Sequence, residues 1–554
     1  MASPLVIKAP ELQPLAALNV VQRGGAGYYR ELRNSSDTYL AAGAWCAILD
    51  ANLMTLPLEP EVLRQCHHAG VRSRAFRYFE SVYEHDSARI AASTPAESAT
   101  ELEQRGMLAA LDHNPAAEAE AAAGLYLASG DITHLRVASE KAEAAGGWRP
   151  SLEWALRAVV IAPLNTIPIQ RLFMVLESSA QPDLIEEAAQ VFISRNIHLQ
   201  VAQIFLAGGA LMRGDAKGVL SRLKPFDDAK IVATPVLKPY LGAVRALRAQ
   251  AEDKLGDYRK AYEAYVGLNA AEKSPDYNAA DFYKGVQIRS KLAIPTLPPS
   301  PHNNVVQMLG FPRSGTTLLE NVLASHPDIE TFEETSALVV AIDRIERVAL
   351  GKVTDEPVET TFSAARDRYY SELDLLRKKP EATVLIDKMP IRTADADLAA
   401  RLFPEWRYIF SIRHPFDVVL SCFKQRFSPN PAMENFRTID DSARLYDFAM
   451  TEWFRHHTMD DPAVHYVRYD ELVTNFEPVT RGVLDFLGVP WSDAVRDFSK
   501  TAENRAAKTP SYQKVRQGLG IGVQTQWRNY GFAFQSEATK PLRKWAEFFG
   551  YPVE

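Results

Sequence analysis

The sequence predicts an α/β domain, a P-loop-like parallel sheet with helices on both faces, preceded by an all-α helical-repeat region. Three observations predict it. Beyond Asn304, strand-like runs at Val305–Leu309, Ala382–Ile386, Tyr408–Ile412 and Val464–Arg468 alternate with helical segments, the signature of a parallel sheet wrapped by helices. Before residue 293 the chain is alanine-rich and helical, with few strand-like runs. Between the two lies "AIPTLPPSPHNN" (Ala293–Asn304), whose Pro295, Pro298, Pro299 and Pro301 cannot sit inside a helix and stiffen the chain into an extended stretch. These place a helical region at 1–294, a proline-rich linker at 295–303 and the α/β domain at 304–554. Residues 1–100 read either as part of the helical region or as a distinct helical piece.

The helical region hints at repetition. "LASGD" ends at Asp131, "LMRGD" at Asp215, and "KLGDY" runs from Lys254 to Tyr258. Each reads as the tight turn of a helical hairpin, with glycine closing one helix and aspartate capping the next. After the last copy, Ala261 and Tyr265 stand small then large. That resembles a tetratricopeptide (TPR) hairpin, where a small residue lets two helices approach. A generic helical domain is the other reading.

Composition is that of a globular protein: 554 residues, 47% hydrophobic, 24% charged. The net charge of −7 argues against a broad nucleic-acid surface while leaving room for a small basic pocket. Three cysteines, Cys46, Cys66 and Cys422, make neither a disulfide framework nor a metal-ligand spacing. With no secretory signal pattern and no run near the ~18 apolar residues of a membrane span, a soluble, cytoplasmic protein is expected. The adjacent pairs His67–His68 and His456–His457 lack further ligands at useful spacing, so no metal is expected.

Chemistry is expected beyond the carboxyl ends of the strands. The run "VVQMLGFPRSGTTLLENVLASHP" (Val305–Pro327) is laid out as strand, glycine loop and helix. Backbone N–H groups of Gly310–Thr317 can converge on an anion, helped by the following helix N-terminus. Leu318, Leu319, Val322 and Leu323 give that helix an apolar face. Thr316 stands where a nucleotide triphosphatase needs lysine. The loop therefore suits a terminal phosphate better than a metal-bound triphosphate. Taken alone, the glycine spacing also fits a plain strand–helix turn.

A second stretch, "YIFSIRHPFDVVLSCF" (Tyr408–Phe423), has a strand ending at Arg413 and Pro415 opening a helix with Val418, Val419, Cys422 and Phe423 on its buried face. Together, "PRSGTTLL" and this stretch resemble the 5′-phosphosulfate loop and the 3′-phosphate motif of sulfotransferases. Those enzymes use 3′-phosphoadenosine 5′-phosphosulfate (PAPS). The resemblance covers about Asn304 to Tyr551. It is nearest to the tyrosylprotein sulfotransferase-like branch, including bacterial proteins with TPR repeats ahead of the transferase domain. "ENFRTIDDSARLYDFAM" (Glu434–Met450) and "TPSYQKVRQ" (Thr509–Gln517) also resemble those bacterial proteins.

The resemblance implies a set of roles. Arg313, Ser314, Gly315, Thr316, Thr317 and Leu318 would hold the 5′ end of PAPS. Arg413 and Ser421 would grip its 3′-phosphate, a guanidinium fork joined by a hydroxyl. Glu334, in the "EET" run, would be the general base. Arg313 would also stabilise charge on the leaving group, and Lys388 of "VLIDKMP" would neutralise the transferring group. Asp387 would orient that lysine or cap the next turn. Tyr469 reads as the aromatic that meets adenine or as a core tyrosine. Ser511 matches a serine of the closing loop near the C-terminus. Lys514 and Arg516 would reach phosphates or stand as surface cations. The product would be adenosine 3′,5′-bisphosphate.

Two departures from the branch, Ser336 where an arginine that reads acidic peptides is common and Gly518 where a proline is common, leave the acceptor open. The expected acceptor is a hydroxyl on a peptide, protein, saccharide or small molecule. The helical region would recruit it, bind a partner or form a dimer. Competing readings are a P-loop kinase or triphosphatase, and a scaffold whose transferase fold is inactive.

Overall fold

The computed structural model describes residues 7–17, 99–111, 114–145, 148–162, 165–292, 296–302, 304–335, 337–338, 341–342, 345, 358–498 and 525–553. The chain forms two compact units that divide at Ala264 and Tyr265.

The first unit is helical. Successive helices, from Ala99–Leu111 to Leu241–Leu255, pack against their sequence neighbours. The glycine–aspartate turns supply the corners. Gly130, Gly214 and Gly256 take φ of 73°, 82° and 82°, conformations that only glycine adopts without strain. The adjoining aspartates cap the next helices. Asp131 accepts from the Thr133 N–H at 2.9 Å, Asp215 from Gly218 at 2.8 Å and Asp257 from Lys260 at 3.4 Å. Phe173, Phe192, Phe205 and Tyr240 anchor a core of stacked and edge-on rings. One buried cation is matched locally: Arg171 binds Glu143 at 2.6 Å and the Ser151 hydroxyl at 2.8 Å.

The second unit is α/β. Five strands form one all-parallel sheet: β1 Val305–Gly310, β2 Ile329–Glu333, β3 Val384–Lys388, β4 Arg407–Ile412 and β5 Val464–Arg468. Their spatial order is β2-β3-β1-β4-β5. Four of the five match the runs expected from sequence. The fifth, β2, is not marked by any apolar run. It is short and acidic, "IETFE", and pairs on one side only. The helices used below are α1 Thr316–Ala324, α2 Val358–Leu376, α3 Pro415–Phe423 and α4 Ile439–Phe454. The apolar faces expected for α1 and α3 are buried.

The units divide before the proline-rich stretch, because contacts carry the preceding residues onto the α/β unit. Tyr265 packs edge-on to Phe423, the Asn269 amide donates to the Phe423 carbonyl at 2.9 Å, and Arg289 pairs with buried Asp395 at 2.7 Å. Residues 296–302 run along the surface of this unit. The Leu297 N–H donates to the Arg401 carbonyl at 3.0 Å, and the Pro298 carbonyl accepts from Arg366 at 2.5 Å.

Candidate active site

The first loop is shaped by two glycines with neighbours too close for any side chain. Gly310, at φ 140°, has the Ser411 carbonyl 2.6 Å from where a Cβ would stand. Gly315, at φ 105°, has the Tyr469 ring at 2.4 Å from the same point. Between them Arg313 adopts φ 75°, a left-handed backbone costing about 1–2 kcal/mol in a residue with a Cβ. That turn is over-determined. The Ser411 hydroxyl donates to the Ser314 carbonyl at 3.0 Å, and the buried Cys422 thiol donates to the Pro312 carbonyl at 3.3 Å. Burial pushes that thiol well above its ordinary range, so it stays protonated.

The second motif closes on the first. Arg413, just beyond β4, donates to the Arg313 carbonyl at 3.3 Å, and its guanidinium lies 4.8 Å over the Tyr469 ring. Tyr469 opens the short helix after β5 and packs on Gly315. Ser421 of α3 was expected to work beside Arg413. Its hydroxyl instead accepts from the Arg313 Nε at 3.0 Å. Two residues from motifs far apart in sequence thus share one bond. Burial, with the nearby Arg413 charge adding to it, pulls the Arg313 guanidinium down to about 10, so it remains a cation at neutral pH.

The remaining loop residues are divided. Thr316 and Thr317 are buried in the first turn of α1. Leu318 turns its side chain into the core and donates its N–H to the Gly315 carbonyl at 3.1 Å, so it offers neither group outward. The buried Ser314 hydroxyl oxygen has no hydrogen-bond partner among the described residues. A cradle of left-handed backbone, a buried orphan hydroxyl and two adjacent guanidinium groups is a donor set for an anion.

On the other side of β1 stands a charge cluster. Lys388 ends β3 with its side chain fully buried. Its ammonium binds Glu333 at 3.0 Å, Glu334 at 3.1 Å and Glu320 of α1 at 3.4 Å. Burial pulls its pKa down, but the three carboxylates more than reverse this and leave it well above the ordinary lysine value. Glu333 and Lys388 are register partners on neighbouring strands. Glu334, the next residue, would point to the opposite face if the strand continued. It instead takes φ 49°, which turns it back to the same lysine, and its N–H donates to the Lys388 carbonyl at 2.8 Å.

Asp387 neither orients Lys388 nor caps a turn. Strand alternation sends it to the far face of the sheet. There it accepts from the Tyr369 hydroxyl of α2 at 3.0 Å, and Gln307 donates to the same hydroxyl at 2.7 Å. Burial raises its carboxyl to about 6. At the start of α3, Asp417 accepts from the Trp527 N–H at 3.0 Å and His414 stacks on the Trp527 ring, centroids 5.3 Å apart. Burial raises the Asp417 carboxyl and lowers the His414 imidazole.

Ser511, Lys514, Arg516, Ser336, Gly518, Cys46, Cys66 and the His67–His68 pair lie outside the described residues. His457 bonds Asp461 at 2.7 Å and stacks on Trp453. No group of three or more His, Cys, Asp or Glu side chains is arranged so that it could hold a metal ion among the described residues, and no helix among them is long and apolar enough to cross a membrane. Sequence reasoning missed Glu320 and Glu333. Their signal was available in the spacing, since Glu320 lies one helical turn after Thr316 and so points back toward the strand ends.

Residues 306–493 match the model of a protein family described as "Sulfotransferase family". This segment is similar to that family. The chain is 29% identical over 203 residues to protein-tyrosine sulfotransferase 1 of Danio rerio, covering 34% of this chain and 53% of that protein. It is 27% identical over 299 residues to an uncharacterized protein of Aquifex aeolicus, covering 50% of this chain and 38% of that one. The chain thus spans about half or less of the length of these curated relatives. Among solved structures, the sulfotransferase domain from the Synechococcus PCC 7002 olefin synthase aligns at 21% identity and a TM-score of 0.33, covering 46% of this chain and 99% of that one.

Proposed function

We propose that the chain is a PAPS-dependent sulfotransferase that moves a sulfuryl group to a hydroxyl acceptor. The observation that carries this reading is the convergence of the two anion-binding motifs. Arg413 reaches the Arg313 carbonyl, and Arg313 reaches Ser421. A single doubly phosphorylated adenosine needs such a pair of neighbouring grips.

In this reading, the loop from Gly310 to Thr317, with the Ser314 hydroxyl, holds the 5′ end of the donor. Arg413 and Ser421 hold the 3′-phosphate, and Tyr469 offers a flat face beside them for the adenine. Arg313 lies between the two ends and stabilises the charge that develops on the leaving phosphate. The acceptor oxygen attacks sulfur as the bond from sulfur to the bridging phosphate oxygen breaks. Glu334 takes the acceptor proton, and adenosine 3′,5′-bisphosphate leaves. Lys388 fixes Glu334 through both its ammonium and its backbone carbonyl. In-line transfer of a loose anionic group depends mainly on such positioning and electrostatics. Ser511, Lys514 and Arg516 would complete the donor site. No step requires a metal.

For the acceptor, the resemblance to protein-tyrosine sulfotransferases favours a tyrosine-type hydroxyl on a peptide or protein, with a saccharide or small-molecule hydroxyl as the wider class. The helical unit, read as TPR-like, would recruit the acceptor or bind a partner or a second subunit. A cytoplasmic, soluble enzyme fits the cysteine usage. Titration calorimetry with adenosine 3′,5′-bisphosphate in EDTA tests the donor site. Binding is expected, and its absence would overturn the reading. Incubating a cell extract with radiolabelled PAPS then finds the acceptor by which fraction takes up label. A kinase-like enzyme would instead bind ATP with magnesium and ignore the bisphosphate.

A further inference from the structure

The stacked pair of Arg413 and Tyr469 stands just past the end of a ladder. The last register pair of β4 and β5 is Ile412 with Arg468, and each stacked residue follows one of them. His414 comes after Arg413, and Tyr469 lies between Arg468 and Asp470. These three flanking residues all bind one short segment, Phe549–Pro552, distant in the sequence.

The place of that segment is set locally. Helix α5, Lys540–Phe548, buries Leu542, Trp545 and Ala546. Gly550, at φ 72°, turns the chain after it, and the Tyr551 N–H returns to the Ala546 carbonyl at 2.8 Å. Such a glycine stop fixes the direction in which the chain leaves the helix. The last carbonyls of a helix lack helical partners and suit a cation. Here the Arg468 guanidinium donates to the Phe549 carbonyl at 2.7 Å. It also lies 4.2 Å over the Tyr551 ring and pairs with Asp470 at 3.1 Å and Glu471 at 3.2 Å. The Tyr551 hydroxyl donates to the other Asp470 oxygen at 2.5 Å. Next along, the Pro552 carbonyl accepts from the His414 Nε2 at 2.9 Å, and the His414 and Tyr551 rings lie 5.2 Å apart. A carbonyl only accepts, so that nitrogen carries the imidazole proton. Burial lowers the imidazole pKa and keeps the ring a neutral donor.

The segment therefore ties the chain on either side of Tyr469 to the residue after Arg413. Tyr551 and His414 are both buried, where a hydrogen bond that loses its partner is costly. None of these bonds is made to the Gly310–Thr317 loop. The tie thus acts on the Arg413 side of the proposed donor site.

We propose that Tyr551 is a positioning residue for that side. With the Phe549 and Pro552 carbonyls it clasps the ends of β4 and β5 together, which aims the Arg413 guanidinium and sets the preference for a nucleotide bearing a 3′-phosphate. This rests on the reading of Arg413 as the 3′-phosphate grip. Tyr551 touches no donor atom and acts through Asp470 and the stacked pair. The aim matters because a guanidinium fork meets phosphate in a fixed plane, and its bonds weaken off line.

The test is titration calorimetry on the full chain in EDTA, with adenosine 3′,5′-bisphosphate and adenosine 5′-monophosphate as probes. Tyr551→Phe keeps the ring and removes the bond to Asp470. Asp470→Ala removes the same bond from the other side, so a folding failure of one variant does not decide the matter. In each, the bisphosphate should bind about 5- to 10-fold more weakly, while the monophosphate changes by less than about twofold. In an Arg413→Ala background, adding Tyr551→Phe should weaken the bisphosphate by less than about twofold more, because the group it aims is gone. Unchanged bisphosphate affinity, equal losses for both probes, or fully additive losses in the double variant would each overturn the inference. Arg413→Ala binding the bisphosphate as tightly as wild type would instead overturn the grip reading, and the inference with it.

Discussion

Gly315 shows how little freedom a single position in this site has. Its φ of 105° suits glycine, and a Cβ there would lie 2.4 Å from the Tyr469 ring. Gly315→Ala must therefore push the ring out and strain the loop. We expect adenosine 3′,5′-bisphosphate to bind at least tenfold more weakly by calorimetry, with the helical unit's thermal transition unchanged. Glu334→Gln keeps the shape of the proposed base and removes its proton affinity. Transfer should fall about 10²–10⁴-fold while bisphosphate binding persists, read by label transfer and calorimetry in parallel. Arg413→Lys keeps charge but loses the fork and the flat face over Tyr469. Bisphosphate affinity should drop about tenfold, showing that geometry as well as charge is required. Asp387 gives a pH-dependent case. Its folded carboxyl is raised to about 6 from an ordinary 3.8. The folded state then holds the proton more tightly than the unfolded chain between those values, so wild-type stability falls as pH rises from about 4 through 6. Asp387→Asn should escape that loss. Its unfolding free energy from urea titration should gain on wild type over this range, by up to about 3 kcal/mol, and hold the gain above it.

At the scale of elements, the sequence was most readable where burial is two-sided. β1 and β4 are buried almost throughout and stand out as apolar runs. β5 was found on its observed bounds, and β3 was placed two residues early, because Asp387 and Lys388 look like a strand's end while they still pair. β2 escaped because an edge strand carrying acids has the composition of a turn. Missing β2 hid the cluster: only as a strand does it place Glu333 beside Lys388 in register. Of the candidate site, the sequence singled out Arg313 and Arg413, which the fold brings into contact. The site was not legible where the use depends on a backbone angle. Nothing in "FEET" announces that Glu334 turns back at φ 49° to face the same lysine as its neighbour. The glycine–aspartate corners of the helical unit were read correctly, since a positive φ and a side-chain cap are both local. Asp215→Ala should cost about 1 kcal/mol, seen as a lower melting temperature of the helical unit.

Across the whole molecule, the proposed donor grip sits at the middle of the sheet and the proposed base toward one edge. β1 lies between β3 and β4, so its loop meets Arg413 on one side, while the strand itself pairs in register with Lys388 on the other. The two bonds that tie the motifs together join residues 100 and 108 apart in the chain. At a synthesis rate of about 5–20 residues per second, a nascent loop leaves the ribosome and waits roughly 5–20 s for its partner arginine to be made. During that interval Arg313 has only its own neighbours to hold a left-handed backbone, and Gly315 faces no aromatic ring. A pulse of protease during translation should find this loop cuttable until α3 emerges and resistant soon after.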